Sequence, residues 1–192
     1  MRVMTRRIAG LEPGEWDGAA SRLVTELFDE LAPDWHTRTS PQGTQVVGDS
    51  IERGLLPMLS EPQLCLEVGS GIGTYSGLLA AAVGTVVSVE LSWEMISRAG
   101  SGSHRVLADG ARLPMSDDSA DAMVLINAFL FPDEVDRVLR EHGVVLWVNS
   151  SGAHTPIHLT TDEVAGALPF PVSGVEGRAG AGTWCALRRA VA

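Results

Sequence analysis

The sequence predicts an α/β fold on a mostly parallel sheet, and three observations carry that expectation. An apolar run at residues 64–68 feeds straight into a glycine-rich turn and then a helix. Apolar, strand-like runs go on alternating with helical segments as far as residue 149, the pattern of repeated strand–helix–strand units. Beyond that the pattern changes: two extended segments, 172–178 and 183–189, flank Ala179-Gly180-Ala181-Gly182 and read as a β-hairpin.

Taken in chain order, the first element is a helix. Trp16, Ala19, Ala20, Leu23, Val24, Leu27, Phe28 and Leu31 recur at helical spacing as one apolar face, and Pro33 ends it. A second amphipathic stretch carries Val47, Ile51, Leu55 and Met58, and the first strand is expected to begin at Gln63. Residues 1–60 should therefore form a helical cap and lead-in, and residues 61–192 the α/β core, of a single domain.

The turn after the first strand reads Glu67-x-Gly69-x-Gly71-x-Gly73. Glycines let the backbone turn sharply and approach a ligand that a Cβ would hold off, and the helix behind offers unpaired N–H groups to an anionic group. A dinucleotide fingerprint, G-x-G-x-x-G, would need its third glycine at position 74, where Thr74 stands. A helix over residues 75–83, stopped by Gly84, leads to a second apolar run at 85–89 that ends in Glu90. An acid at that strand tip suits the two hydroxyls of a ribose, whose cis-diol matches a carboxylate's two oxygens. Ser92 is placed to cap the next helix. Strands and helices go on alternating through a fifth strand at 144–149. Thr160 or Thr161 caps a helix at 162–168.

These residues together resemble the class I S-adenosylmethionine-dependent methyltransferases, within them the type 11 group that includes ubiquinone and menaquinone biosynthesis enzymes. The acidic glycine turn resembles the group's first motif, and Val89-Glu90-Leu91-Ser92-Trp93-Glu94-Met95-Ile96 its second strand-to-helix junction. Val106-Leu107-Ala108-Asp109-Gly110-Ala111-Arg112-Leu113-Pro114 is similar to the third-strand segment, and residues 32–38 to the lead-in whose helical cap closes over the cofactor. Residues 121–127 resemble the fourth strand and 134–140 the helix before the fifth, and Glu141-His142-Gly143 stands where the family's Pro-Gly-Gly turn is expected. The resemblance covers nearly the whole chain. It implies a Rossmann-like three-layer sandwich with a seven-stranded, mostly parallel sheet ending in an antiparallel hairpin.

It also implies a site for S-adenosylmethionine, with S-adenosylhomocysteine (SAH) as product. By resemblance, Glu67 and the backbone of Gly69, Gly71 and Gly73 serve the methionine end, Glu90 the ribose, Leu91 the adenine face and Asp109 the adenine amino group. Ser70, Gly110 and Ala111 complete the cofactor set, and Asn127 would face the methionine portion or the acceptor. Met95 reads as a plain core residue rather than a cofactor contact. Because the cofactor's methyl is already activated, the protein need only align it with a nucleophile, exclude water and, where necessary, take a proton. For that last task the candidates are His36 beside Trp35, and His154 and His158 after the fifth strand. His104 and His142 lie by strand starts, remote from a ligand. No metal site is expected.

Composition narrows the remaining classes. The chain has 192 residues, 45% of them hydrophobic, with mean hydropathy +0.13, enough for a folded core. No apolar stretch approaches the roughly 20 residues of a membrane span, and residues 1–10, with Arg6 and Arg7, lack a signal peptide's apolar region; a cytoplasmic protein is expected. Cys65 and Cys185 fall in strands that are not neighbours and should be buried thiols. A formal charge of −10, with no lysine and scattered arginines, argues against a nucleic-acid partner. The Asn127-Ala128-Phe129-Leu130 segment lacks the Asn/Asp-Pro-Pro-aromatic motif of enzymes that methylate exocyclic amines.

The reading is a methyltransferase acting on an unidentified small-molecule acceptor by in-line displacement. Two rivals stand beside it. One is a catalytically silent, methyltransferase-like protein that binds cofactor or a partner, since the short loop after Asn127 leaves little material for an acceptor pocket; a homodimer, each subunit completing the other's site, would supply it. The other is an NAD-dependent oxidoreductase, opposed by Thr74 and by the lack of a Tyr-x-x-x-Lys pair.

Overall fold

The computed structural model describes residues 1–12, 14–60 and 64–190. Seven strands build one sheet: β1 (Cys65–Val68), β2 (Val86–Glu90), β3 (His104–Leu107), β4 (Ala120–Ile126), β5 (Leu139–Asn149), β6 (Val172–Ala179) and β7 (Gly182–Arg189). Their order is β3-β2-β1-β4-β5-β7-β6, so the expected seven-stranded arrangement is present. β1 lies at the centre, parallel to both β2 and β4, and β7 inserts between β5 and β6, antiparallel to each. The chain order reverses direction across β1 and β4, and the crevice at the carboxyl ends of such strands is where open α/β sheets bind ligands.

A parallel sheet must be covered on both faces, and alternation along each strand sorts the side chains. Leu66 and Val68 of β1, with Val89, Met123, Leu125, Val145 and Trp147, belong to one core layer. That layer includes Val135 of α6 (Pro132–Val138) and Val164 of α7 (Thr161–Ala167). Cys65, Val86, Ala122, Val124, Leu146 and Val148 belong to the other, with Val46 and Val47 of α3 (Pro41–Ser50) and Leu79 of α4 (Ser76–Val83). Leu66, Val124, Leu146 and Val148 are fully buried.

Local signals account for the helix ends. Gly84 at φ 83° stops α4. Ser92 caps α5 (Trp93–Ser97), its Oγ accepting from the Met95 N–H at 3.0 Å. Thr160, not Thr161, caps α7 in a capping box with Glu163, whose carboxylate accepts from the Thr160 N–H at 2.9 Å.

Four expectations need correction. After α1 (Arg2–Ile8), the helix α2 (Gly18–Leu31) starts behind Asp17, whose carboxylate takes the Ala19 and Ala20 N–H groups, so Trp16 lies ahead of the helix and not on its face. Leu23 is 58% exposed and Ala19 is exposed too; one turn apart, they fall on the side of α2 turned away from the sheet, and Val24 is the residue that it buries. The second amphipathic stretch is not one helix: α3 passes into a π-helical turn, Ile51–Leu55, and a 3-10 turn, Leu56–Met58. The expected strand start at Gln63 lies outside the described residues.

The fourth correction concerns Glu141-His142-Gly143, which forms no turn but belongs to β5. Ala120 pairs with Leu139 while Ala122 pairs with Val144, so β5 carries extra residues against β4. Gly143 permits this, because a Cβ there would stand 2.7 Å from the Leu139 side chain.

Candidate functional site

The carboxyl ends of β1, β2 and β4 open into a pocket that the N-terminal segments roof. Its floor is the glycine turn, contributing Gly69, Ser70, Gly71, Thr74 and Tyr75. One wall carries Glu90 and Leu91 after β2 and Asp109 and Gly110 after β3; the other carries Asn127, Ala128, Phe129 and Phe131 after β4, with Ser150 and Ile157 after β5. Trp16, Phe28, Trp35, Arg38 and Ser40 come from the N-terminal side.

Backbone conformation explains the floor. Gly69 has φ 72° and Gly71 φ 58°, a region that costs other residues about 1–2 kcal/mol. A Cβ on Gly69 would lie 2.8 Å from the Ala128 Cβ, so the turn also needs glycine for its packing against the segment after β4. The Gly71 N–H donates to Glu90 Oε2 and the Ser92 N–H to Glu90 Oε1, both at 2.8 Å, which fixes that carboxylate at the tip of β2. Trp35 covers the turn, its Nε1 lying 3.5 Å from where a Gly71 Cβ would be, and it packs edge-on against Phe28 at 5.6 Å.

Two of the acids are held toward their neutral forms. Glu67 is 2% exposed, and burial raises its pKa, opposed by the Ser76 and Ser88 hydroxyls that donate to Oε2 and reinforced by the Glu90 charge. Burial raises Glu90 as well, opposed by backbone N–H groups of Ser92, Gly71 and Leu91 and reinforced by Asp29. Burial also raises the Tyr75 phenol.

Most of the cofactor set named from the sequence meets in this pocket: Glu67, Gly69, Ser70, Gly71, Glu90, Leu91, Asp109, Gly110 and Asn127 line it, and so does Met95. Gly73 and Ala111 do not. A Cβ on Gly73 would stand 3.3 Å from Ala99, which makes it a packing position, and Ala111 instead donates its N–H to Asp109 Oδ1 at 2.9 Å. Asn127 adopts φ 52° and spends both halves of its amide on Ser150, accepting from its N–H and donating to its Oγ, each at 2.8 Å. It ties the ends of β4 and β5 together.

The histidines fare differently. His36, His154 and His158 are absent from the pocket lining, so none of the three is placed to take a proton there. His36 and His154 are exposed on their 3-10 turns; His158 is half-buried, and burial together with the Arg2 charge lowers its pKa. No group of three or more His, Cys, Asp or Glu among the described residues is arranged to hold a metal ion. No helix among them is long and apolar enough to cross a membrane.

Sequence reasoning missed Trp16 as a site residue, and with it Phe129, Phe131 and Arg38. The Trp16 Nε1–H points at both Asp109 oxygens, 3.0 Å from each, across 93 residues of chain. Among the described residues Arg38 is the one basic side chain lining the pocket, 5.6 Å from the Trp35 ring centroid.

Residues 66–147, spanning β1 to near the end of β5, match the family model described as a methyltransferase domain. Over that segment, a little under half of the chain, the sequence matches the type 11 methyltransferase domain. S-adenosylmethionine is the cofactor of such domains. Over 103 residues the chain is 31% identical to the malonyl-[acyl-carrier protein] O-methyltransferase of Methylococcus capsulatus, a match covering 50% of this chain and 38% of that protein. The chain therefore spans well under half the length of that curated relative. Among solved structures, the DhpI–SAH complex is similar at TM-score 0.66 with 17% identity, covering 86% of this chain and 94% of that one. A SAM-dependent methyltransferase from Aquifex aeolicus is similar at TM-score 0.62 with 14% identity, covering 90% and 98%. At these identities the likeness establishes the fold, which is that of the class I methyltransferase domain.

The donor set of the pocket fits the cofactor. Three carboxylates, Glu67, Glu90 and Asp109, and one guanidinium, Arg38, line it. S-adenosylmethionine presents a sulfonium, an ammonium and one carboxylate, together with ribose hydroxyls and an adenine amino group as hydrogen-bond donors.

Proposed function

We propose that this protein transfers a methyl group from S-adenosylmethionine to a low-molecular-weight acceptor by in-line displacement. The observation that carries the reading is the Glu90 carboxylate, buried at the tip of β2 and locked by the Gly71 and Ser92 N–H groups beside the glycine turn. The Gly71 and Ser92 N–H groups take one position on each oxygen, with Leu91 N–H close by, and a carboxylate's about four positions leave capacity for a ribose hydroxyl lying across the β1 and β2 ends. Glu67 and the turn from Gly69 to Gly71 face the methionine portion, and Leu91 the adenine. The bound cofactor supplies an activated methyl on a cationic sulfur, so the protein's tasks are orientation and exclusion of water.

The pocket residues suit those tasks. Trp35 and Phe28 form an apolar cover over the glycine turn, and Tyr75, from the start of α4, brings its hydroxyl to 3.0 Å from where a Gly43 Cβ would stand. No imidazole lines the pocket among the described residues, and its uncharged protic groups are the Tyr75 phenol and serine and threonine hydroxyls. An acceptor that already reacts as an anion would need no base. A carboxylate is one, Arg38 is the lining cation that would meet it, and a small malonyl thioester, carrying the acyl group in the name of the Methylococcus relative, is thus the first acceptor to screen.

Calorimetry tests the reading. S-adenosylmethionine and SAH should bind with micromolar affinity, NAD should not, and Glu90→Ala should abolish adenosyl binding. Absence of adenosyl binding, or binding of NAD alone, would sink the reading. The same pocket without a histidine favours one second reading, a cofactor-binding protein without turnover; labelled methyl transfer to any acceptor in a metabolite extract would exclude it.

A further inference from the structure

Three donors converge on the Asp109 carboxylate, one of them shared between its two oxygens. A carboxylate offers about four lone-pair positions on its two oxygens. Oδ1 takes the Ala111 N–H at 2.9 Å and the Trp16 Nε1–H at 3.0 Å; Oδ2 takes the same indole N–H at 3.0 Å and the Ser21 hydroxyl at 3.0 Å. Three of these four contacts come from the N-terminal segment, which belongs to the roof. The indole sits in an aromatic corner, tilted 51° against Phe129 at 5.8 Å and nearly edge-on to Phe131 at 5.4 Å. Phe131 in turn presses on Gly110, where a Cβ would lie 2.9 Å from its ring. A flat heteroaromatic ring with an N–H aimed at Asp109 is the chemistry that an adenine base would present at the same carboxylate.

From this geometry we infer that Trp16 competes with the cofactor's adenine for Asp109, so that the structure is a closed form in which the protein's own indole holds the adenine subsite. Binding then exchanges one donor for another: the adenine amino group takes the carboxylate, and the indole swings out. The local backbone suits such a movement. Residues 14–17 are irregular, and Gly14 precedes Trp16 at φ 148°, a conformation open to glycine. The Asp17 cap holds α2 from behind the moving residue, and Arg6 anchors α1 through Glu12 and Glu163, so neither helix has to break. Pocket size agrees, since the cavity beside Trp16 encloses about 170 Å³, below the roughly 300 Å³ at which drug-sized ligand sites begin.

The inference rests on the methyltransferase reading, and SAH titrations of wild type, Trp16→Phe and Glu90→Ala keep the two apart. Trp16→Phe retains an aromatic ring in the corner but no N–H. It should bind SAH about tenfold tighter than wild type, the weight of one hydrogen bond to a carboxylate. Equal or weaker binding by Trp16→Phe, with wild type binding and Glu90→Ala not, overturns the competition and leaves the methyltransferase reading intact; failure of both wild type and Trp16→Phe to bind overturns both. Fluorescence gives an independent readout. The chain has five tryptophans, so the Trp16 signal is taken as the difference between wild type and Trp16→Phe. Saturating SAH should shift that difference spectrum to the red as the indole enters water, and an unshifted spectrum overturns the exchange even if the affinities differ.

Discussion

Ser88 and Glu67 stand directly opposite each other in the pairing of β2 with β1, and the serine hydroxyl donates to Glu67 Oε2 at 2.6 Å. Ser76, from the first turn of α4, donates to the same oxygen. A carboxylate inside a nearly dry sheet is tolerable only with such partners. Ser88→Ala removes one of them and should destabilise the fold by about 1–3 kcal/mol. Urea unfolding should show a lower midpoint with unchanged slope; an unaltered midpoint would mean that the hydroxyl contributes nothing to the buried acid.

The same acid should make stability depend on pH. Burial raises its folded-state pKa, so above the ordinary carboxylate range, near 4.3, the folded protein holds a proton that the unfolded chain has released. Stability from this group is therefore greatest at low pH and falls as pH rises toward the folded value. Glu67→Gln keeps an oxygen for the two serines but cannot ionise. Its stability advantage over wild type should widen as pH rises above the ordinary carboxylate range toward the raised folded value in parallel urea titrations, and a gap that narrows would contradict the sign.

Local chemistry made the glycine turn, the Ser92 and Thr160 caps and the terminal hairpin legible, because each depends on residues within a few positions of one another. The strand order was legible only through the ordered set of motifs. What stayed hidden depended on distant partners. Trp16 at helical spacing reads as one more residue of an apolar face until the fold brings Asp109 to it. Leu23 matches the same spacing and faces water, because period alone does not say how wide the covered face is. At residues 141–143 the family's turn was expected where the chain uses Gly143 to carry a bulge, a choice set by contact with Leu139 and not by the tripeptide itself.

Gly69 and Gly71 should respond differently to alanine. Both carry positive φ, but a Cβ on Gly69 would meet Ala128 at 2.8 Å whereas on Gly71 the nearest atom, Trp35 Nε1, is 3.5 Å away. Gly71→Ala should cost about 1–2 kcal/mol from backbone conformation alone. Gly69→Ala adds overpacking to the same strain and should cost about 1–3 kcal/mol more. Thermal unfolding of the two variants checks the order, and equal losses would show that the Ala128 contact relaxes freely.

The two thiols should be chemically silent in the native protein. Cys65 and Cys185 are buried, with burial pushing each pKa up to about 12. Reaction needs a thiolate and access to it. A thiol-specific disulfide reagent at pH 8 should label neither cysteine in the folded protein and both in urea; fast native labelling would show that a strand opens locally.

Arg38 is the cation that offers this pocket a partner for a carboxylate, and two ligands can present one: the methionine end of the cofactor and the acceptor. SAH carries the amino-acid portion, while 5′-methylthioadenosine has the same nucleoside without it. If Arg38 serves the cofactor, Arg38→Met should weaken SAH roughly fivefold, the weight of a part-exposed ion pair, and leave methylthioadenosine unchanged. If it serves the acceptor, both affinities should stay at the wild-type value, and the loss should appear in KM for a carboxylate acceptor. A fall in both affinities would place Arg38 in neither role and make it a support for Trp35, whose ring lies 5.6 Å from the guanidinium.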